Sequence, residues 1–82
     1  MYAIHYTPNA EKQISKLEKQ MQERIFAALE RARLRPDHFF VKLTGWNEYR
    51  MRVGDYRIIA DLQKDVLVIL VVKVGKRENV YD

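Results

Sequence analysis

The sequence predicts an α+β fold: a small antiparallel β-sheet of about four strands on an N-terminal pair of α-helices, in the order β-α-α-β-β-β. Three observations predict it. Ile14, Leu17, Met21, Ile25, Leu29 and Ala32 recur at spacings of three and four, as one face of a helix requires. Tyr49-Arg50-Met51-Arg52-Val53 and Tyr56-Arg57-Ile58 alternate apolar and basic side chains around Gly54-Asp55, the pattern of two half-buried strands joined by a tight turn. Val66 to Val74 is apolar on both sides, which suits a central strand.

Tyr2 to Tyr6 opens the chain as a short strand, with Tyr2, Ile4 and Tyr6 on one face and Ala3 and His5 on the other. Thr7 is placed to cap a helix whose first position is Pro8, where the missing N–H costs nothing. The helical pattern then runs without Gly or Pro to Arg35, and Pro36 is expected to stop it. A single helix of about 28 residues would be roughly 42 Å long. A chain of this size has a radius of gyration of roughly 12 Å, so a break near Leu17 to Met21 and an antiparallel helix pair are expected. Residues 37 to 48 read as a connection, with Thr44-Gly45 as a turn and Trp46 as a packing anchor.

The hairpin count sets Val53 opposite Tyr56, Arg52 opposite Arg57, Met51 opposite Ile58 and Arg50 opposite Ile59. Two arginines facing each other across a strand pair repel, and a sheet that accepts this usually holds an anion there. Pairing Leu62 with Val66 across Gln63-Lys64-Asp65 would put Arg57 opposite Val71. Lys73 and Arg77 would then join the arginine face beside Ile59, Leu67, Ile69 and Val71. Such an apolar strip would either lie under the 37–48 connection or form a groove for a partner peptide.

Composition narrows the chemistry. Eighty-two residues make one domain, 1–82, and the absence of cysteine leaves stability to packing and fits a reducing cytoplasm. There is no signal-peptide pattern, and the longest apolar run, Val66 to Val72, is seven residues against the roughly 20 of a membrane helix. The formal charge of +4 favours an anionic partner such as nucleic acid. His5 and His38 have no carboxylate at ligand spacing, so no metal is expected. Ser15, the only serine, has no nucleophile motif, and the glycines form no phosphate-binding fingerprint. No cofactor and no small-molecule ligand are implied. What remains is Arg50, Arg52, Arg57, Lys73, Lys76 and Arg77, with Tyr81 in the tail: planar, permanently charged guanidinium groups are matched to phosphate oxygens.

The run from Tyr49 to Asp82 resembles the C-terminal part of a RelE-type toxin of the RelE/ParE superfamily. The matching pieces are the basic strand, G-D-Y-R-I-I, the apolar strand, V-G-K-R-E and a terminal V-Y. More loosely, the first strand, the helical pair and Lys42-Leu43-Thr44-Gly45 extend the resemblance over nearly the whole chain. It implies cleavage of messenger RNA in the ribosomal A site, without metal, and neutralisation by a cognate, acidic, RelB-like antitoxin. It implies that Arg57 stabilises the scissile phosphate, that Arg77 acts as general acid at the leaving 5′ oxygen, and that Tyr81 stacks on the substrate. Arg50 and Arg52 stand where the best-known member has lysines. An arginine does not give up its proton in a protein, so neither serves as general base, although both can stabilise negative charge. Arg52 is therefore counted with Arg57, Arg77 and Tyr81 as catalytic, and Arg50, Lys73 and Lys76 as RNA-binding. Two other readings share the fold: a ParE-like inhibitor of DNA gyrase, and an inactive chain that only binds antitoxin.

Overall fold

The computed structural model describes residues 1–43 and 48–76. The elements are β1 (Ala3–Tyr6), α1 (Pro8–Ser15), α2 (Lys19–Ala32), α3 (Pro36–Phe39), β2 (Val41–Lys42), β3 (Glu48–Val53), β4 (Tyr56–Gln63) and β5 (Val68–Lys76). The α+β architecture is as expected, with one more strand than expected and a mixed sheet. The strand order is β1-β5-β4-β3-β2, and β1 lies parallel to β5 while the other neighbours are antiparallel.

Thr7 caps α1 by accepting a hydrogen bond from the Ala10 N–H at 3.1 Å, with Pro8 in the first turn. The helices part at Lys16–Glu18, overlapping the expected break, without Gly or Pro. Lys16 stays right-handed, Glu18 turns extended (φ −60°, ψ 147°), and the Gln22 amide donates to the Leu17 carbonyl at 2.9 Å. Ordinary residues adopt these conformations, so the break leaves no mark in the composition. The two pieces pack on different strands, α1 on β5 and α2 on β3. Pro36 opens α3 rather than ending α2, which stops at Ala32. There the Arg33 Nε donates to the Tyr2 carbonyl at 2.8 Å and the Tyr2 N–H to the Arg33 carbonyl at 2.9 Å.

One core lies between the helices and one sheet face. Ala10, Ile14, Ile25, Ala28, Leu29 and Ala32 meet Met51, Val53, Ile58, Ala60, Leu62, Ile69, Val71 and Val74, with Ile4 and Tyr6 at its margin. The β3–β4 register matches the hairpin count at every pair from Glu48↔Asp61 to Val53↔Tyr56. Gly54 has φ +58° while Leu67 is the one described non-glycine residue with positive φ, so the turn is type II′.

The β4–β5 register differs from expectation. The connection is Lys64–Leu67, with Leu67 at φ 55°, and Leu62 pairs with Ile69 rather than Val66. A bulge then places one extra residue, Val72, between the pairs Ala60↔Val71 and Ile59↔Lys73, so Arg57 pairs with Gly75, not Val71. Each inserted residue flips the side-chain alternation of the strand beyond it. Lys73 therefore does share the face of Arg57, whereas Ile69 and Val71, both 0% exposed, belong to the helix-side core. The expected apolar strip beside the arginines is not formed: Ile59 is buried at 3% exposure, and only Leu67 of the four is exposed.

Side chains of α1 complete this bulge. The Val72 carbonyl accepts from the Thr7 hydroxyl (3.2 Å) and the Asn9 amide (3.4 Å), and the Val74 N–H donates to Gln13 Oε1 (2.7 Å). β1 pairs with β5 only as far as Val71, and α1 takes over from there.

Candidate nucleic-acid interface

The sheet face turned away from the helices can be written as rows across the strands, because directly paired residues point the same way. The row nearest the hairpin turn is Arg52–Arg57–Gly75, and the next is Val41–Arg50–Ile59–Lys73. Beyond these comes Glu48–Asp61–Leu70–His5. Positive charge is thus gathered in two adjacent rows, with carboxylates beginning one row further on.

Within the first row, a two-residue hairpin makes Val53↔Tyr56 the hydrogen-bonded pair closing the turn. Arg52↔Arg57 is then a non-hydrogen-bonded pair, the type that holds side chains closest. Their surroundings differ. Arg52 is exposed, whereas Arg57 is only 4% exposed and is the one buried charged side chain among the described residues. A guanidinium taken out of water keeps its charge, because its pKa lies too far above neutrality for burial to discharge it. Low dielectric around it strengthens its pull on any anion that reaches the row. Gly75 beside it adds no side chain to the row on the β5 side.

Arg50, half-buried, and Lys73, exposed, flank this row on the same face. Lys76 is exposed but pairs with Tyr56, out of phase with Lys73 and Gly75, so the register puts it on the opposite side of the sheet. Arg77 and Tyr81 lie outside the described residues, as does Trp46. The structure therefore brings together Arg50, Arg52, Arg57 and Lys73, and does not bring Lys76 to them. It also adds Arg31, from α2, which lines a cleft with Arg50 and Arg52 at the outer edge of β3. Nothing in the sequence singles out Arg31, since only the packing of α2 against β3 brings it there. Among the described residues no group of three or more His, Cys, Asp or Glu is placed to hold a metal ion, and no helix is long and apolar enough to cross a membrane.

Among the described residues, two rows of cationic side chains on the sheet face turned away from the helices are suited to grip a polyanion. The chain belongs to the family described as ParE toxin of type II toxin–antitoxin system, parDE, whose sequence model matches residues 4–81, and so to the RelE/ParE superfamily. Solved structures of RelE toxins share its fold. Toxin in the intact RelBE toxin–antitoxin complex of E. coli is 24% identical, with a TM-score of 0.83 over 96% of this chain and 100% of that one. In the archaeal RelE–RelB complex from Pyrococcus horikoshii OT3 the values are 26% and 0.81, over 96% and 98%. The RelB–RelE complex of Methanococcus jannaschii gives 24% and 0.75, over 95% of each chain. No match is found among curated proteins.

Proposed function

We propose that this toxin arrests growth by cutting messenger RNA on the ribosome, and that it acts in the cytoplasm beside an acidic RelB-like antitoxin. The observation that carries this reading is the Arg52–Arg57 pair, one exposed and one buried, with Arg50 and Lys73 alongside. In the reaction, the ribose 2′-oxygen attacks the adjacent phosphorus as its proton leaves, and the P–O5′ bond breaks. A 2′,3′-cyclic phosphate and a 5′-hydroxyl result. Negative charge builds on the non-bridging oxygens of the phosphorane, and two guanidiniums held on adjacent strands can stabilise it. Arg57 and Arg52 take this role. Arg50 and Lys73 hold the flanking phosphates. Arg77 donates a hydrogen bond to the leaving 5′ oxygen while water supplies its proton, and base stacking falls to Tyr81. Since arginine cannot accept the 2′-hydroxyl proton, Arg50 and Arg52 act on charge alone, and water or a group of the ribosome takes the proton.

The antitoxin partner follows from the same charge. An acidic segment laid over the two basic rows would neutralise Arg50, Arg52, Arg57 and Lys73 together, and electrostatic steering would make its capture fast and salt-sensitive.

The ParE family match favours a second reading, inhibition of DNA gyrase by a non-enzymatic toxin of the same fold. Primer extension on cellular messages after brief expression separates the two. Cuts within translated codons that vanish in a folded Arg57→Ala protein are expected. Intact messages with broken chromosomes would overturn the ribonuclease in favour of the gyrase inhibitor.

A further inference from the structure

β2 is only two residues long and pairs with Tyr49 and Arg50, so β3 runs on past its end. Beside Met51–Val53 the sheet stops and a cleft of about 420 Å³ opens, lined by Arg31, His38, Phe39, Val41, Arg50 and Arg52. Ala28 and Met51 close it toward the core. We propose that this cleft holds one nucleotide of single-stranded RNA, next to the nucleotide that the Arg52–Arg57 row engages. The proposal rests on the ribonuclease reading and extends it to a subsite.

Four features support it. Among the described residues that line it, three are arginines from two elements, α2 and β3, and none is acidic, so these side chains favour an anion. By the alternation of the β3–β4 ladder, the peptide groups of Glu48, Arg50 and Arg52 point away from β4, as the Leu43 N–H bond to the Glu48 carbonyl shows. The Arg52 N–H is thus directed past the end of β2 toward the cleft, where it adds a backbone donor to the guanidiniums. Phe39, 38% exposed, stands edge-on to the His38 ring with centroids 5.6 Å apart, which gives a braced aromatic surface at the rim. A base stacks on such a surface irrespective of its identity. Finally, the volume falls within the range of sites for small ligands, enough for one base and its phosphate.

Arg52 belongs both to the cleft and to the first basic row. A strand crossing that row leaves the sheet over the outer edge of β3, where the phosphate meets Arg31 and the base meets Phe39. An acidic peptide would find the arginines but make no use of the aromatic rim.

The test is fluorescence anisotropy of a labelled RNA tetranucleotide with the intact chain, in about 50 mM and about 200 mM salt. Arg31→Ala should weaken binding about 5- to 20-fold at the lower salt and flatten the slope of log affinity against log salt by about 0.7, the value for one single-strand phosphate contact. Phe39→Leu keeps apolar bulk but removes the ring. It should weaken binding about 5- to 100-fold, as loss of one stacked base does, and leave the slope alone. Lys12→Ala, on the exposed side of α1, should bind as the parent does. The proposal is overturned if the parent does not bind, if Arg31→Ala and Phe39→Leu both bind like it, or if hexaglutamate displaces the RNA at equal concentration. Message mapping in cells keeps the two ideas apart. Cut messages with cleft variants that bind normally leave the ribonuclease and remove the cleft. Cleft-dependent RNA binding without cuts does the reverse.

Discussion

Replacing Arg52 and Arg57 by methionine, singly and together, isolates the interaction between them from the packing of each. Methionine keeps an unbranched apolar stem, which matters because Arg57 is buried to 4% exposure and its truncation would leave a void. Opposite residues in such a pair have Cβ atoms about 5 Å apart, so guanidiniums that splay from one another sit about 7 Å apart. Two like unit charges at that distance repel by about 2.4 kcal/mol at an effective dielectric of about 20, and by about 0.6 kcal/mol at about 80. Arg52 is exposed, so the lower part of this range applies. Urea unfolding of the four proteins in low salt should give a repulsive coupling of about 0.5 to 1.5 kcal/mol, each single substitution recovering part of what the pair costs. In about 1 M salt, where the Debye length is about 3 Å, the coupling should fall to a small fraction of its value. A coupling near zero or attractive in low salt would refute the reasoning. A repulsive coupling indifferent to salt would make it steric.

Gln13→Leu should destabilise the fold by about 1 to 3 kcal/mol, the cost of leaving a partly buried N–H, here that of Val74, without its acceptor. Urea unfolding measures it. Gly54→Ala places an L-residue at φ +58° and should cost about 1 to 2 kcal/mol by the same assay. Its new Cβ would lie 3.2 Å from the Arg24 Nη1, the flexible end of a side chain that can move away. The Tyr6 phenol is pushed above its ordinary value of 10.0, first by burial and then by the charge of Glu30. A raised acid contributes stability that is complete below about pH 10 and lost as pH climbs through the folded-state value. Stability should therefore fall above pH 10 more steeply in the parent than in Tyr6→Phe, and parallel curves would remove Tyr6 from the alkaline transition.

The hairpin and its arginines were legible because Gly54-Asp55 fixes both the turn and the count, and nothing interrupts the alternation on either side. The β4–β5 register was not legible, since its two determinants carry no compositional signal. Leu67 takes a left-handed conformation that usually marks glycine, and the bulge residue Val72 sits inside an unbroken apolar run. A three-residue shift of register, being odd, was enough to move Ile69 and Val71 from the arginine face into the core. Lys73 stayed with the arginines because the bulge lies just before it. The parallel placement of β1 and the ending of α2 at Ala32 arise from pairing with distant segments, which periodicity cannot see. The cleft at β3 escaped for the same reason: Arg31, Phe39 and Arg52 come from three elements, and each looks unexceptional in its own.

The bonds from Thr7, Asn9 and Gln13 to the Val72 carbonyl and the Val74 amide make the first helix a substitute for a missing strand. An unsatisfied strand edge is a template on which a second molecule can add its own backbone, and proteins that leave one bare tend to self-associate. Here the template is occupied by short polar side chains that cannot themselves be extended into a ladder. A neighbouring molecule would have to lift α1 from the sheet before pairing along Val72–Val74. That move also uncovers Ala10 and Ile14, both within the main core. Protection from assembly along this edge is thus tied to global stability: α1 cannot be loosened there without opening the core beneath it.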